Sequence, residues 1–523
     1  MKWTDKVIAA FSPERAVKRV KARRTLEAMN YAQHGASRTK SSMQGWLTRP
    51  GSALEDIEKN VPILRERSRD LYMGAPLATG ALKTLRTNVV GSGLKLNPQI
   101  DAELLGMTQE EADAWEQTVE REFQLWADDI SCDMQRMNNF YELQQLAFLS
   151  QMMSGDVFVL LPLKERVGQV YDLRIQIIEA DRVCNPLSAK EDARIFNGVE
   201  VDEWGEVIAY HIAEQHPHDP MVMKNNWHRV EKFGAQTGRQ NVLHLMETER
   251  PEQRRGVPIL APVIETLKQL ARYTDAELMA AVLGAMHTYF ITSEAQSTTG
   301  DMFGGIPEEE LVDSDNDESI EVGNGNIVFL DEGEKVQESD PGRPNSGFDN
   351  FATAMCRQIG SALEIPYELL LKHFTSSYSA SRGALLEAWK MFRMRREWLA
   401  NDFCQPIYEE WLTEAIAKGR IHAPGFFSDP LIRKAYSQAE WNGPSQGQID
   451  PLKEVNAAEK RVNNGFSTRA QETVALNGGD FAKNVRTRIT EERMMREGGI
   501  ANEEQTTSEV LEHGEDDRRD GRD

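Results

Sequence analysis

Cysteine is scarce in this 523-residue chain: Cys132, Cys184, Cys356 and Cys404 are the whole supply, far apart and without a C-x-x-C pair. That pattern excludes a disulfide scaffold and a cysteine-built zinc site, and the four read as buried thiols of a reducing compartment. Aromatic residues are 8% of the chain, mean hydropathy is -0.53, and no stretch approaches the roughly 18 uncharged apolar residues of a membrane helix. Nothing in the sequence is built to span a bilayer. The first 24 residues lack the apolar core of a secretory signal, so cytosolic synthesis is expected. Positive charge is also short. With 60 Lys+Arg against 83 Asp+Glu the net charge is -23, which argues against a broad basic face that grips DNA.

The usual carriers of chemistry are missing too. No G-x-x-x-x-G-K-[ST] loop is present to cradle a nucleotide's phosphates. Gly443-Pro-Ser445-Gln-Gly447 has the letters of a nucleophile elbow, but Asn442, Pro444 and Asp450-Pro451 make its surroundings a loop. Asp313, Asp315, Asp317 and Glu321 resemble the start of a calcium loop, with Glu318 where the turn needs Gly and Asn324 where the site needs a bidentate Glu. His211, His216 and His218 have no cysteine or carboxylate cluster of complementary spacing. No enzyme and no cofactor is expected.

What is present is an ordinary globular composition, long enough for three or so domains, with charge divided unevenly. Residues 1–24 carry eight Lys/Arg against two acids, a local +6, and residues 501–523 carry nine acids against three Arg, a local -6. The body between them therefore holds the whole -23.

Helical and strand patterns mix along the chain, which predicts an α+β fold. Pro62 and Pro76 open two helices. Thr108 and Glu111 form a capping box ahead of the stripe Ala112, Trp115, Val119, Phe123 and Trp126. A further helix ends at Gly155 and feeds the apolar run Val157–Leu163, a buried strand. Short β pieces follow from about Arg174 to Leu245. From Pro258 to Met286 the only breakers are Pro262 and Gly284, so a helix of roughly 40 Å is expected. Ile264, Leu267, Ala271, Thr274, Leu278, Ala281 and Ala285 recur at alternating spacings of three and four, the seam of a helix that packs on a neighbouring helix. The stretch from Gln337 to Phe348, with Pro341, Gly342, Pro344 and Gly347, reads as an exposed loop. A long helix from Ser379 carries the basic stretch Lys390, Arg393, Arg395 and Arg396, and the acidic tail from Glu491 reads as disordered.

Several blocks resemble the portal proteins of lambda-like tailed bacteriophages. They are RSRDLYMGAPLATGALKTLRTNVVGSGLKLNP (67–98), SGDVFVLLPL (154–163), ERPEQRRGVPILAPVIETLKQLARYTDAELMAA (249–281), FATAMCRQIGSALEIPYELL (351–370), SYSASRGALLEAWKMFRMRREWL (377–399) and IDPLKEVNAAEKRVNNGFSTRAQETVALNGGD (449–480). They follow the family's order. The resemblance implies a homo-oligomer, a dodecameric ring at one capsid vertex, through which double-stranded DNA passes during packaging and ejection. Its implied partners are the terminase large subunit, major capsid and scaffold proteins, and a tail or head-completion protein, with no membrane. Its implied location is the virion, and the host cytoplasm during assembly.

The family architecture then divides the chain into a basic arm (1–50), a first wing part (51–181), a β-rich clip (182–256), a stem helix (257–287) and a second wing part (288–336). A tunnel loop (337–349), a tunnel helix and connection (350–378), a helical wing and crown region (379–490) and the tail (491–523) complete it. Arg343, Lys390, Arg393 and Arg396 are then the candidate DNA-facing residues, and Ile264, Leu267, Ala271, Leu278 and Ala281 the candidate inter-subunit contacts of the stem. The basic arm is a candidate for scaffold or DNA contact. The rival readings are a cytosolic metal-dependent hydrolase and a monomeric adaptor.

The geometry of a ring is consistent with the resemblance. Twelve helices about 10 Å across, side by side, have axes at a radius of about 19 Å and leave an opening of roughly 28 Å. A ring charge of about -276, twelve times -23, repels phosphates, so DNA slides past a wall that does not bind it.

Overall fold

The structure is a computed structural model that describes residues 12–28, 40–43, 45–46, 48–186, 194–220, 225–285, 289–293, 334–338, 347–374, 377–448 and 450–498. The chain divides into two units, residues 1–56 and 57–523. In the first, helix α1 spans Pro13–Ala28 within the basic arm.

The second unit begins with α2 (Val61–Gly74) and α3 (Pro76–Val89), which share the Ala75 boundary because Pro76 forces the residue before it into an extended conformation and then opens the next helix. Strand β1 (Lys95–Pro98) and the short helix α4 (Ala102–Leu105) lead to α5 (Gln109–Ala127), where the Thr108–Glu111 capping box forms as expected. Helix α5 buries Ala112, Val119, Phe123 and Trp126. Phe123 meets the edges of Phe140 at 5.5 Å and Trp411 at 5.0 Å, so this stripe is the centre of the main core. Helix α6 (Phe140–Ser154) ends at Gly155, in a positive-φ conformation, and runs into β2 (Asp156–Leu160). The apolar run is thus a buried strand over its first part, and Leu163 emerges into solvent.

Strand β2 is the middle of an antiparallel sheet between β3 (Gln176–Ile178) and β8 (Val242–Met246). A second antiparallel sheet orders β4 (Ile195–Phe196), β5 (Val199–Val201), β6 (Val207–Ala213) and β7 (Trp227–Glu231) consecutively. Phe158, Ile178 and Val242 of the first sheet share a core with Val199, Tyr210 and Ile212 of the second. The β-rich stretch expected over 182–256 is therefore split. Its last strand belongs to the central sheet, and the rest is held against that sheet by a common core.

The long helix, α7, spans Ile264–Ala285. It starts six residues later than the sequence predicts, because Pro258 to Val263 close on themselves through 3₁₀-type bonds, Ala261 N–H to Pro258 and Val263 N–H to Leu260, both 2.9 Å. Its 22 residues give about 33 Å. Strands β9 (Tyr289–Ser293) and β10 (Glu334–Glu338) pair antiparallel just beyond its C-terminal end. The acidic loop Glu308–Glu321, the turn at Asn324-Gly325 and residues 339–346 with Arg343 lie outside the described residues.

Helix α8 (Phe348–Ala362) returns alongside α7, with Tyr273 against Phe348 and Phe351, and the short α9 (Tyr367–Leu370) follows. Helix α10 (Tyr378–Leu399) passes through a π turn, Ala400–Cys404, into α11 (Gln405–Ala417). Pro406 explains the wider turn: it offers no N–H, and its ring displaces the carbonyl four residues earlier. Helix α12 (Pro430–Tyr436), strand β11 (Ala439–Asn442), paired with β1, and helices α13 (Pro451–Asn463), α14 (Arg469–Asn477) and α15 (Phe481–Glu497) complete the unit. Helix α15 overrides the expectation of disorder from Glu491. Asp480 caps its first turn, and Arg488 pairs with Glu492 one turn on at 2.9 Å. Residues 499–523 are outside the described residues.

Candidate functional site

Helix α7 changes character along its length. Val263, just before it, and Leu267 and Leu270 are buried in the main core, and Ile264 packs against it. Past that point the apolar residues are open to solvent: Leu278 is 63% exposed, Met279 60% and Val282 43%. Leu278, Ala281 and Val282 lie on one face at helical spacing, and Ala271 and Thr274 are exposed as well. This corrects the reading of the seam. Ile264 and Leu267 root the helix in its own chain, and among the described seam positions the later ones, Ala271, Thr274, Leu278 and Ala281, are open to a neighbour.

The basic stretch divides in the same way. Arg396 donates from Nε to the Val89 carbonyl at 3.0 Å and from Nη2 to the carbonyls of Asn88 at 2.9 Å and Pro444 at 2.8 Å, with its plane 5.4 Å from the Trp389 ring. It caps the C-terminal carbonyls of α3 and ties them to the loop after β11. Burial, with Arg393 adjacent, lowers its pKa to about 10. As a DNA-facing residue Arg396 is thus withdrawn, since three of its five donors are committed to carbonyls of its own chain. The same contact explains Gly443, where a Cβ would lie 2.7 Å from Arg396 Nε. The glycine of the elbow-like motif serves packing, and Ser445 stands in the irregular loop between β11 and α13, with no helix directly after it. Arg395 is also buried, paired with Glu247. Lys390 is exposed and pairs with Glu387 at 2.6 Å. Arg393 is exposed and borders a groove of about 1210 Å³ between α5, the β1–β11 ribbon and the C-terminal helices. Replacing Arg396 with Ala leaves three carbonyls without their donor. We expect a loss of about 1–3 kcal/mol, read as a lower thermal midpoint, with the salt dependence of any DNA contact unchanged.

At the root of α7 lies a charge centre that sequence reasoning missed. Asp156, the first residue of β2, is fully buried. It accepts from Arg255 Nε at 2.6 Å and Nη2 at 3.1 Å, from Arg65 Nη2 at 3.1 Å, and from the Gly256 N–H at 3.1 Å. His244 Nε2 stands 3.4 Å away. Burial alone would raise the Asp156 pKa, but Arg255 and Arg65, aided by His244, hold its carboxyl well below the usual carboxylate range. Burial dominates at His244 and lowers its pKa, so the imidazole is neutral at pH 7. The pKa of Arg65 is lowered by burial and by Arg255 beside it, yet a guanidinium in such a setting stays charged.

Arg65 also reaches Asp181 at 3.2 Å, and Arg69 bridges Asp181 and Glu179. His216 Nε2 stands 3.8 Å from Asp181 and 3.9 Å from Glu179. These carboxylates are the partners that the histidine-rich turn lacked in sequence. The His216 Nδ1, however, accepts the His218 N–H at 3.2 Å, and Arg69 occupies the place of the cation between the two carboxylates. The cluster is an ion-pair network. All four cysteines are free thiols, three of them buried and Cys184 half-buried.

Comparison with known proteins supplies the context for this arrangement. The family profile described as phage portal protein, lambda family, matches residues 39–396. The chain is 25% identical to Portal protein B of Escherichia phage lambda over 83% of its own length and 84% of the relative's. It is 24% identical to the portal protein of Escherichia phage N15, covering 88% and 89% respectively. A probable portal protein of Halomonas phage phiHAP-1 is 25% identical, over 79% of this chain and 76% of that one. Among solved structures, a chain from the neck of a native GTA particle aligns with a TM-score of 0.42 at 14% identity, over 80% of this chain and 94% of that one.

Proposed function

The chain belongs to the lambda family of phage portal proteins, and from that premise we propose that twelve copies close into a ring at one capsid vertex. The ring is the channel for double-stranded DNA during packaging and ejection, and the docking site for the terminase and later for the tail or connector. The observation that carries this reading is the half-rooted helix α7. Its first turns are locked in the core of its own chain, and its later turns carry Leu278, Met279 and Val282 into solvent. An apolar stripe on a rooted helix is a cost in a monomer, and a copy of the same helix alongside removes it. The stem, in this reading, is α7 from Ala271 onward.

The motor-facing end of the ring belongs at the far end of that stem. Strand β9 follows α7, β10 pairs back to it, and α8 packs on α7 with Phe348 and Phe351 against Tyr273. The sequence expectation places the clip at 182–256, whose β4–β7 sheet shares a core with the central sheet. Of the proposed tunnel loop, 337–349, Gln337 and Glu338 belong to β10 and Phe348 and Asp349 to α8, so the role falls to the residues between them, with Arg343 as the proposed DNA-facing cation, and Lys390 and Arg393 remain the exposed basic candidates on α10. The chain as a whole is acidic, so in this reading contact with DNA is confined to such isolated cations.

Deleting residues 340–347 tests the channel reading. Rings of unchanged subunit number should assemble and enter procapsids, while the amount of DNA retained per particle falls. Normal DNA retention by the deletion variant refutes a DNA-facing role for this loop.

A further inference from the structure

We propose that the Asp156–Arg255–Arg65 centre is a positioning element that sets the angle at which α7 leaves the body, and through that angle the number of subunits in the ring. The proposal rests on the ring reading above and extends it to residues that touch neither DNA nor a neighbouring subunit.

Arg255 stands nine residues before α7, just ahead of the Pro258–Val263 turn, in Arg255-Gly256-Val257-Pro258. Besides its two bonds to Asp156, it donates from Nη1 to the carbonyls of Val183 at 2.8 Å and Asn197 at 2.7 Å, and from Nη2 to Ala180 at 2.8 Å. All five guanidinium donors are used. The guanidinium also lies 5.2 Å from the Phe158 ring. Arg65, from α2, donates from Nε to the Ser154 carbonyl at 3.0 Å in addition to its acidic partners. One buried carboxylate therefore joins α2, the end of α6, β2, the turn before β4, the β4–β5 turn and the approach to α7.

The backbones meet at the same point. A Cβ on Gly256 would lie 2.0 Å from the Gly155 carbonyl oxygen, and one on Gly155 would lie 2.4 Å from that of Gly256. No side chain separates the start of β2 from the approach to the helix, so neither can shift without the other.

Such a centre is a poor way to gain stability. A buried ion pair offsets its desolvation only narrowly, and an apolar replacement of similar volume often does as well; its best-attested use is to specify one arrangement over others. In a portal ring the arrangement that matters is angular. Successive subunits are related by about 30° in a ring of twelve, by about 27.7° in a ring of thirteen and by about 32.7° in a ring of eleven. A change of roughly 2–3° per subunit is enough to add or remove a copy. The hydrophobic contacts at Val263, Leu267 and Leu270 are non-directional and do not hold an angle so closely. The five-donor fork of Arg255 does.

The test is the subunit count of full-length rings, read by native mass spectrometry, for wild type, Arg255→Lys and Arg65→Lys, with Arg396→Ala as a variant destabilised elsewhere. Lysine keeps the charge and loses the fork. Wild type and Arg396→Ala should give one ring size. Arg255→Lys should give at least two, separated by one chain mass of 59.2 kDa. If Arg255→Lys does not fold, Arg65→Lys carries the test with the same expectation. A lysine variant that melts earlier yet keeps the single wild-type count overturns the proposal and reduces the centre to a stabilising one. A wild-type chain that forms no ring removes the premise, and the assignment falls with it.

Discussion

Leu278→Asp is expected to abolish ring formation and leave a folded monomer. In the single chain Leu278 is 63% exposed, so the substitution changes the stability of the monomer by no more than about 0.5 kcal/mol. In a ring its effect is felt at every contact between neighbours. Each contact loses the roughly 1.5–3 kcal/mol of a buried leucine and gains a carboxylate with no partner, a further cost of several kcal/mol. At about 1.4 kcal/mol per tenfold, the association constant falls by more than about 100-fold per contact. Light scattering at the concentration where wild type is a ring should report a single-chain mass, with far-UV circular dichroism and thermal midpoint unchanged. Leu267→Asp is the contrast: that side chain is buried in its own core, and the variant should lose its fold along with its assembly.

Asp156→Ala is expected to cost about 3–5 kcal/mol, because it leaves Arg65 and Arg255 facing each other in the interior without their shared counter-charge. Against a typical total of about 5–15 kcal/mol this is a large share, and chemical denaturation should show it as a shifted midpoint with a similar slope. The same centre predicts the acid limb of stability. The Asp156 carboxyl is held low in the folded protein, so its contribution is complete above the unfolded carboxylate pKa of about 3.9. It is lost as pH falls below that value toward the folded one, at about 1.4 kcal/mol per pH unit, because only the unfolded chain takes up the proton. Asp156→Asn removes this proton from the balance. Below about pH 4 its stability should fall less steeply than wild type's, by one proton's worth of slope. Equal slopes would show that Asp156 is not held ionised in the folded state.

Much of the fold is legible in the sequence because local chemistry determines it. The Thr108–Glu111 capping box, the prolines at the starts of α2 and α3 and the glycine at the end of α6 are written in adjacent residues, and the structure keeps each of them. The α7 seam is legible in period but not in partner. Periodicity reports that Leu267 and Leu278 lie on one face; only the fold separates the one that meets its own core from the one that meets solvent. Arg396 fails in the same way, because a cation on an amphipathic helix reads as exposed until the carbonyls of Asn88, Val89 and Pro444 are brought to it. The Asp156 centre is out of reach of such reading. Its members Arg65, Asp156, Asp181, His244 and Arg255 span 190 positions, and none of them has a local partner to mark it. The one local trace is Arg255-Gly256-Val257-Pro258, within a block that carries the family resemblance.

The mass of the purified full-length chain in solution, by size exclusion with light scattering, tests the central claim most directly. A dodecamer of the 59.2 kDa chain has a mass of roughly 710 kDa, and that is the expected value for wild type, with Leu278→Asp eluting as a single chain. A wild-type particle near 59.2 kDa at the same concentration, as a monomeric adaptor or hydrolase would give, contradicts the account.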